Sequence, residues 1–427
     1  MSFGLLFLIL LVLLATSLPI GFGLGLSALA YLFAGGTLPP EVGVQRMIAA
    51  ADSFALMALP FFILSGNIMQ GGGISRRLIN FVDSLVGWLT GGLSIVTTMS
   101  CMFFGAISGS ATATTAAIGT IMIPGMIKKG YDPAFSAAIT ASSGLLGAVI
   151  PPSLMMVTYG TMAGVSIGDL FIGGIVPGML LGLALMVVSY RTCKAAGYTS
   201  EVQFSFSRVI STFKEAIFAL AMPAIVLGGI YGGIFTPTEA AVVAVVYTLV
   251  VALFLYKEIT FKDLYGIFLD SAIVSGSIMI LVCAASFFGW MIAMNRVPQM
   301  IAEALLSVSN NQIVVLFLIN MLLLFVGCFL ESIAALVILT PILYPLVVAV
   351  GVDPLHFGII ACVNICIGTL TPPFGVCLFV ASGITGIPLE KIAKRALPFL
   401  GVLIAVLFVL TYLPQVTLFL PHLVSGS

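Results

Sequence analysis

Two apolar helices of this chain are interrupted in the same way, 221 residues apart. Gly147-Ala-Val-Ile-Pro-Pro-Ser153 and Gly368-Thr-Leu-Thr-Pro-Pro-Phe374 each place a glycine shortly before a double proline. The same offset carries Pro124, Gly130, Asp132, Pro133 and Pro177 onto Pro345, Gly351, Asp353, Pro354 and Pro398, so every proline between 124 and 177 falls on a proline. Agreement at one fixed spacing marks an internal repeat. Two successive prolines remove two backbone donors and leave carbonyls of the preceding turn without helical partners. At membrane depth such backbone is tolerated only when it is buried in protein or lines a cavity. Interrupted helices at matching places in two half-chains point to the binding site of a secondary transporter.

Composition says what surrounds those interruptions. Hydrophobic residues make up 61% of the 427 and charged residues 7%, against about 25% charged in soluble domains. So little charge cannot cover a folded surface in water, and the chain reads as an all-α polytopic membrane protein. Apolar runs predict helices near 3–34, 54–70, 134–163, 172–190, 217–234, 237–256, 267–294, 355–381 and 396–413, lengths suited to a hydrocarbon core of ~30 Å. Residues 91–127 and 312–348 are equally apolar but interrupted midway, at Ser108-Gly-Ser110 and between Gly327 and Ser332. Each reads as a re-entrant hairpin, two half-helices whose tip stops inside the membrane. Stretches 71–90 and 296–311 mix Arg76, Arg77, Asp83, Arg296, Glu303 and Asn310 with leucines, which predicts amphipathic helices lying in the interface. The chain divides into a first repeat over 1–190, with hairpin 91–127 and broken helix 134–163, and a connecting loop and linking helix over 191–234. A second repeat follows over 235–427, with hairpin 312–348 and broken helix 355–381.

Positive charge orients the spans. Arg191, Lys194, Arg208 and Lys214 lie in the long polar loop between the halves, and counting spans puts Lys128, Lys129, Lys257 and Lys262 on the same side. By the positive-inside rule that side is cytoplasmic. Asp132 and Pro133 are then inside and Asp353 and Pro354 outside, so the repeats have inverted topology. The first hairpin opens from the cytoplasm and the second from outside. The N-terminal run lacks a basic region and a small-residue cleavage site, and is read as a mature span.

Other function classes find little support. The net charge is zero, with 15 basic and 15 acidic residues, so no basic field suggests nucleic acid. The seven cysteines contain no CxxC and behave as small buried hydrophobes, without a disulfide frame or zinc site. The two histidines are His356, expected at a loop edge, and His422 in the tail. Gly105-Ala-Ile-Ser108-Gly109 has the wrong spacing for a nucleophile elbow. No glycine-rich loop precedes a Lys-Ser/Thr pair. An enzyme is not expected, nor any cofactor.

The repeat pairs each hairpin tip with a break. One candidate cation site uses Gly105, Ser108, Gly147, Ile150 and Pro151, mostly through backbone oxygens, with Gly147 expected to take backbone angles that other residues avoid. The other uses Gly327, Gly368, Thr371 and Phe374, with the Thr371 hydroxyl as a side-chain ligand. Hard cations are held by oxygen, and unwound carbonyls with half-helix C-termini form sodium cages in such transporters. Ser110 and Thr112 crowd the first tip, Ser153 follows the first break, and Glu331 stands at the second tip. Of these, Glu331 is the candidate substrate contact that the chemistry singles out, since ionisable groups at that depth are costly and usually functional, and the Ser110, Thr112 and Ser153 hydroxyls are placed with it as candidates. Half-helix N-termini suit an anionic group. Glu239 reads as a first-turn helix carboxylate, and Asp132 and Asp353 as turn and cap residues. Asp52 with Asn67 reads as a polar contact at a helix end.

Ala58-Leu-Pro-Phe-Phe-Ile-Leu-Ser-Gly-Asn67, Ser108-Gly-Ser-Ala-Thr-Ala-Thr114, Ile150-Pro-Pro-Ser153, Gly233-Ile-Phe-Thr-Pro-Thr-Glu-Ala-Ala241 and Leu370-Thr-Pro-Pro373 together resemble the large membrane subunit of tripartite ATP-independent periplasmic (TRAP) transporters, over nearly the whole chain. The resemblance implies a sodium-coupled importer of an organic acid, such as a C4-dicarboxylate, a sialic acid or a sugar acid, in the bacterial inner membrane. It implies two partners, a periplasmic substrate-binding protein and a small membrane subunit, the latter expected as a separate chain. It implies an elevator motion of hairpins and broken helices against a scaffold. Sodium ligands carry over to the two candidate cation sites, and substrate contacts to the vicinity of Ser110, Ser153 and Glu331. The alternative is a cation channel lined by the hairpins, or another hairpin-containing ion or carboxylate transporter that works without a binding protein.

Overall fold

The structure, a computed structural model, describes residues 4–16, 18–35, 39–199, 203–297, 300 and 311–425. Among them the regular elements are helices, and nine are long and apolar enough to cross a membrane, each arm of the second hairpin included.

Both expected hairpins are present. In the first, Gly92–Ser108 and Ala111–Lys128 meet at Gly109, whose φ of 63° lies in the left-handed region that glycine adopts without a Cβ penalty. Ser110 caps the second arm, accepting the Ala113 N–H at 3.4 Å. In the second hairpin, Gln312–Phe329 and Ser332–Ala349 meet at Leu330 and Glu331. There the Glu331 carboxylate caps the outgoing arm, accepting N–H groups of Ile333 at 3.0 Å and Ala334 at 3.2 Å.

Both broken helices are present as well. The first runs over Pro133–Gly144 and Leu146–Val149, opens at 150–153, and resumes as Leu154–Ala163. The second runs over Pro354–Gly368, opens at 369–375, and resumes as Val376–Thr385. Asp132 and Asp353 cap their starts, each with Pro at the first helical position. The Pro151–Pro152 and Pro372–Pro373 peptides are both cis, and Gly130 and Gly351 share a positive φ. The sequence repeat is thus a structural repeat in its helix starts, breaks and Gly130/Gly351 turns, while the hairpin tips differ, Gly109 being left-handed and Leu330 extended.

Both arms of each hairpin pack on the first half of their own broken helix. The second arm also packs across: Ala111–Lys128 on Val376–Thr385, and Ser332–Ala349 on Leu154–Ala163. Tyr159, fully buried, crosses the repeats too, donating to the Pro354 carbonyl at 2.8 Å. Ile167–Ala196 and Leu389–Tyr412 complete this interlocked block. Pro414–Ser425 packs on Ile167–Ala196 of this block. The helices Gly4–Ala15, Ile20–Gly35, Glu41–Ala51, Ala58–Gly71, Ile74–Val86, Phe206–Tyr231, Pro237–Val250 and Phe261–Met294 pack largely on one another as a second layer. It meets the block mainly where Ile74–Val86 lies on Gly92–Ser108 and Phe261–Met294 on Ser332–Ala349.

Several expectations are corrected. The helix expected over 3–34 is two, Gly4–Ala15 and Ile20–Gly35, because Pro19 disfavours the helical conformation of the residue before it. The helices expected to begin at 172, 217, 267 and 396 begin at Ile167, Phe206, Phe261 and Leu389. Their first turns are polar and fall outside a hydropathy window. One such turn is a capping box in which Thr260 N–H donates to Asp263 at 2.7 Å. Glu239 closes the equivalent box with Thr236, as its sequence context indicates. Glu41–Ala51 and Pro414–Ser425 are helices where none was expected, the latter holding His422.

His356 lies at the loop edge, in the first turn of its helix, where its N–H donates to Asp353 at 3.0 Å, but its side chain is buried. It is 2% exposed inside the second broken helix, with Nδ1 2.6 Å from Thr417 Oγ1 and Nε2 3.2 Å from the Thr411 carbonyl. The amphipathic stretch at 71–90 is the helix Ile74–Val86, which buries Ile74, Leu78, Ile79, Phe81 and Val82. It ties down at both ends through Arg77–Glu258 at 2.9 Å and an Asp83–Arg208 ion pair. The stretch at 296–311 lies mostly outside the described residues.

Candidate functional site

The two hairpin tips and the two breaks converge pairwise through glycines. A Cβ on Gly105 would stand 2.6 Å from Gly147 Cα, and one on Gly368 would stand 2.6 Å from both Cα and C of Gly327. Backbone lies against backbone in both repeats, as small residues permit between membrane helices. Gly147 and Gly368 each sit in the helical turn before their break, and neither has a positive φ. The expectation that Gly147 supplies unusual backbone angles is therefore corrected: these glycines serve close approach, and the unwinding begins at Ile150 and Thr369. Further bonds hold tip to break. Leu154 N–H donates to the Gly109 carbonyl at 3.2 Å, and Cys328 Sγ lies 3.6 Å from the Pro372 carbonyl.

At the first break, Pro151 and Pro152 cannot donate to the carbonyls of Gly147 and Ala148 four residues upstream. The Ser153 hydroxyl donates to the Ala148 carbonyl and accepts the Met156 N–H at 3.4 Å, so it bridges the gap. Ser153 is fully buried and is not among the residues lining the cavities described below. Ser108, also buried, shares a hydrogen bond of 2.8 Å with Thr114. Pro151 is buried and Ile150 half-buried. At the second break, the Thr371 hydroxyl donates to the Ile367 carbonyl at 3.0 Å, and its N–H to Gly368 O at 2.9 Å. The hydroxyl oxygen keeps its lone pairs for another partner. Phe374 is half exposed, its ring 5.5 Å from that of Phe329. The first break is thus enclosed, whereas the second reaches the surface at Pro373 and Phe374.

Two cavities open at the tips. One of about 20 Å³ lies where the tips meet, lined by Ser110, Thr112, Ala148, Met155, Glu331 and Ser332 among others. That is space for one water or one small ion. Ser110 and Thr112 lie 3.2 Å apart through their hydroxyls. Glu331, although half of its carboxylate capacity is used by the cap, remains accessible. The second cavity, about 360 Å³, lies between the first tip and the helix Ala58–Gly71. Ser108, Ser110 and Thr112 line one side, and Ile63, Asn67 and Gln70 the other. Its size is in the range of small-molecule sites. Among the described residues no Lys, Arg or His lines either cavity. Nor do three His, Cys, Asp or Glu side chains cluster, so the polar groups facing a ligand are hydroxyls, amides, peptide dipoles and Glu331.

Asn67 and Gln70 were missed as site residues. Asn67 instead donates to Ser271 Oγ at 2.8 Å, linking two helices of the second layer. The available signal was a pair of amides at i, i+3 on one face of a short apolar helix.

Comparison with known proteins agrees with this architecture. The family model described as the tripartite ATP-independent periplasmic transporter, DctM component, matches residues 7–416. The isethionate TRAP transporter permease protein DctMQ of Oleidesulfovibrio alaskensis is 48% identical over 95% of the chain, which spans 64% of that relative's length. The sialic acid TRAP transporter large permease SiaM of Vibrio cholerae is 40% identical over 97% of both chains. The C4-dicarboxylate TRAP transporter large permease DctM of the same organism is 38% identical over 100% of this chain and 99% of its own. In fold, the chain is similar to the Alcanivorax borkumensis YdaH transporter, with a TM-score of 0.66 over 91% of this chain and 89% of that one at 16% identity. The family match over residues 7–416, with identities of 38–48% to these permeases over nearly the whole chain, makes the chain a member of the DctM family, the large membrane component of TRAP transporters.

Proposed function

We propose that the chain is the translocating subunit of a sodium-coupled importer for a small organic acid. It works in the bacterial inner membrane with a small membrane subunit and a periplasmic substrate-binding protein. The observation that carries this reading is the matched contact of Gly105 with Gly147 and of Gly327 with Gly368. Each sets a hairpin tip against a helix end whose carbonyls have lost helical donors to a double proline, the arrangement in which peptide oxygens hold Na⁺. Two bound cations beside an apolar, lysine-free cavity would offset an anion that Glu331 alone would repel. The acid sits at the first tip, with the Ser110 and Thr112 hydroxyls donating to it. Ser153 acts from behind by holding the break open. Relatives named for isethionate, sialic acid and C4-dicarboxylates bound the substrate class as small organic acids.

The interlocked packing supports an elevator motion. Hairpins and broken helices share partners across both repeats, so they travel as one body against the second layer. The test is reconstitution of the complete three-component system in liposomes, with uptake of isethionate, succinate and N-acetylneuraminate measured under an inward sodium gradient. The expected result is accumulation of one of them that requires both sodium and the loaded binding protein. Uptake that persists when the sodium gradient is collapsed, or without the binding protein, refutes the reading.

A further inference from the structure

The 360 Å³ cavity has two walls of different provenance. The hydroxyl wall of Ser108, Ser110 and Thr112 belongs to the interlocked block, together with Leu154 and Val380 from the two resumed half-helices. The amide wall of Asn67 and Gln70 belongs to Ala58–Gly71, whose main partners are Pro237–Val250 and Phe261–Met294. That wall is anchored independently of the block. Asn67 bonds Ser271, and Thr238 Oγ1 donates to the Phe54 carbonyl at 3.0 Å just before the helix begins. Where the walls meet, Gly66 faces the Ser108 backbone, and even an added Cβ would make only ordinary contact at 3.4 Å. No hydrogen bond joins Gly66 to Ser108 at this contact.

We propose that Asn67 and Gln70 form a stationary half of the substrate site, which touches the acid in only one end state of the transport cycle. They read the end of the substrate that lies away from the acid group held by the hairpin wall, whether a hydroxyl, an amide or a second, hydrated carboxylate. The chemistry fits this division. The amide wall carries no charge, so it cannot supply the anion's counter-charge, but it offers donors and acceptors to a hydroxyl, amide or hydrated substituent. The hairpin wall, by contrast, includes Ser108 of the first candidate cation site and lies at the N-terminus of Ala111–Lys128. When the block moves, its hydroxyl wall travels with the substrate and the amide wall stays behind. The inference rests on the elevator reading given above and adds to it a residue pair and a sidedness.

The test uses the complete transporter reconstituted in one orientation, with isethionate, succinate and N-acetylneuraminate as probes. Half-saturation is measured separately from each membrane face for Asn67→Ala, Gln70→Ala and Thr112→Ala. Gln70 is exposed, so its variant folds even if the loss of the Asn67–Ser271 bond harms the other. Loss of one neutral hydrogen bond predicts roughly a two- to tenfold rise in half-saturation, at one face only for Asn67→Ala and Gln70→Ala. Thr112→Ala raises it at both faces. A Gln70→Ala shift that is equal at the two faces, or absent from both while the wild type transports normally, overturns the stationary wall. Failure of the wild type to take up any probe overturns the organic-acid reading, and this inference with it.

Discussion

Gly368→Ala probes the site where it is tightest. The added Cβ would lie 2.6 Å from Cα and C of Gly327 and 3.0 Å from its carbonyl oxygen. All three are backbone atoms, so no side-chain rotation relieves the contact. The arm Gln312–Phe329 must withdraw by roughly 1 Å to reach the carbon–carbon optimum of about 3.5 Å. Crowding of this kind in a packed interior costs about 1–3 kcal/mol. Because the withdrawal separates a hairpin tip from its break, the cost falls on the ion-loaded geometry. It then reads as roughly a 5- to 150-fold rise in the sodium concentration for half-maximal uptake. The assay is initial uptake against sodium in liposomes holding matched amounts of inserted protein. Gly125→Ala is the control: it lies in the first hairpin's second arm, an added Cβ meets nothing within 4 Å, and alanine is the better helix former. A Gly368→Ala protein with wild-type sodium dependence at equal insertion would show that the tip-to-break contact does not shape an ion site.

Thr371→Ala removes the one side-chain oxygen assigned to the second cation site, and with it the bond to the Ile367 carbonyl. It is expected to raise half-saturating sodium while Thr371→Ser restores it; an unchanged sodium curve in the alanine variant takes the residue out of the site. Lys128→Cys and Ala349→Cys, 221 residues apart and both exposed, are expected to react with a membrane-impermeant thiol reagent from the cytoplasm and from outside respectively. Labelling of both from one side ends the inverted arrangement.

The sequence was most informative where backbone chemistry leaves a mark. Gly109 and the paired prolines identify the first tip and both breaks because glycine takes that φ without a Cβ penalty and only proline lacks a donor. The double prolines recur at the 221-residue offset, whereas the second tip has Leu330 in an extended conformation where the first has Gly109. The partnership of Gly105 with Gly147 was legible through symmetry, although its cause was not: a glycine needed for contact looks the same in sequence as one needed for torsion. Helix starts were harder, since capping turns such as Thr260 to Asp263 are polar and look like loops to hydropathy. The amide wall escaped because Asn67 and Gln70 gain meaning only when Ala58–Gly71 is laid against a hairpin tip distant in sequence. The burial of the His356 side chain escaped for the same reason, its partners lying on Leu389–Tyr412 and Pro414–Ser425.

The crossed packing of the repeats has a consequence for biosynthesis. Leu154–Ala163 leaves the ribosome early, yet its principal neighbour, Ser332–Ala349, and the Pro354 carbonyl that receives the Tyr159 hydroxyl are translated only later. Until then a nascent first half carries an opened helix, a polar apex and an unanswered phenol among lipids. Completion of that half waits on synthesis of the other, so neither copy is a self-sufficient folding unit.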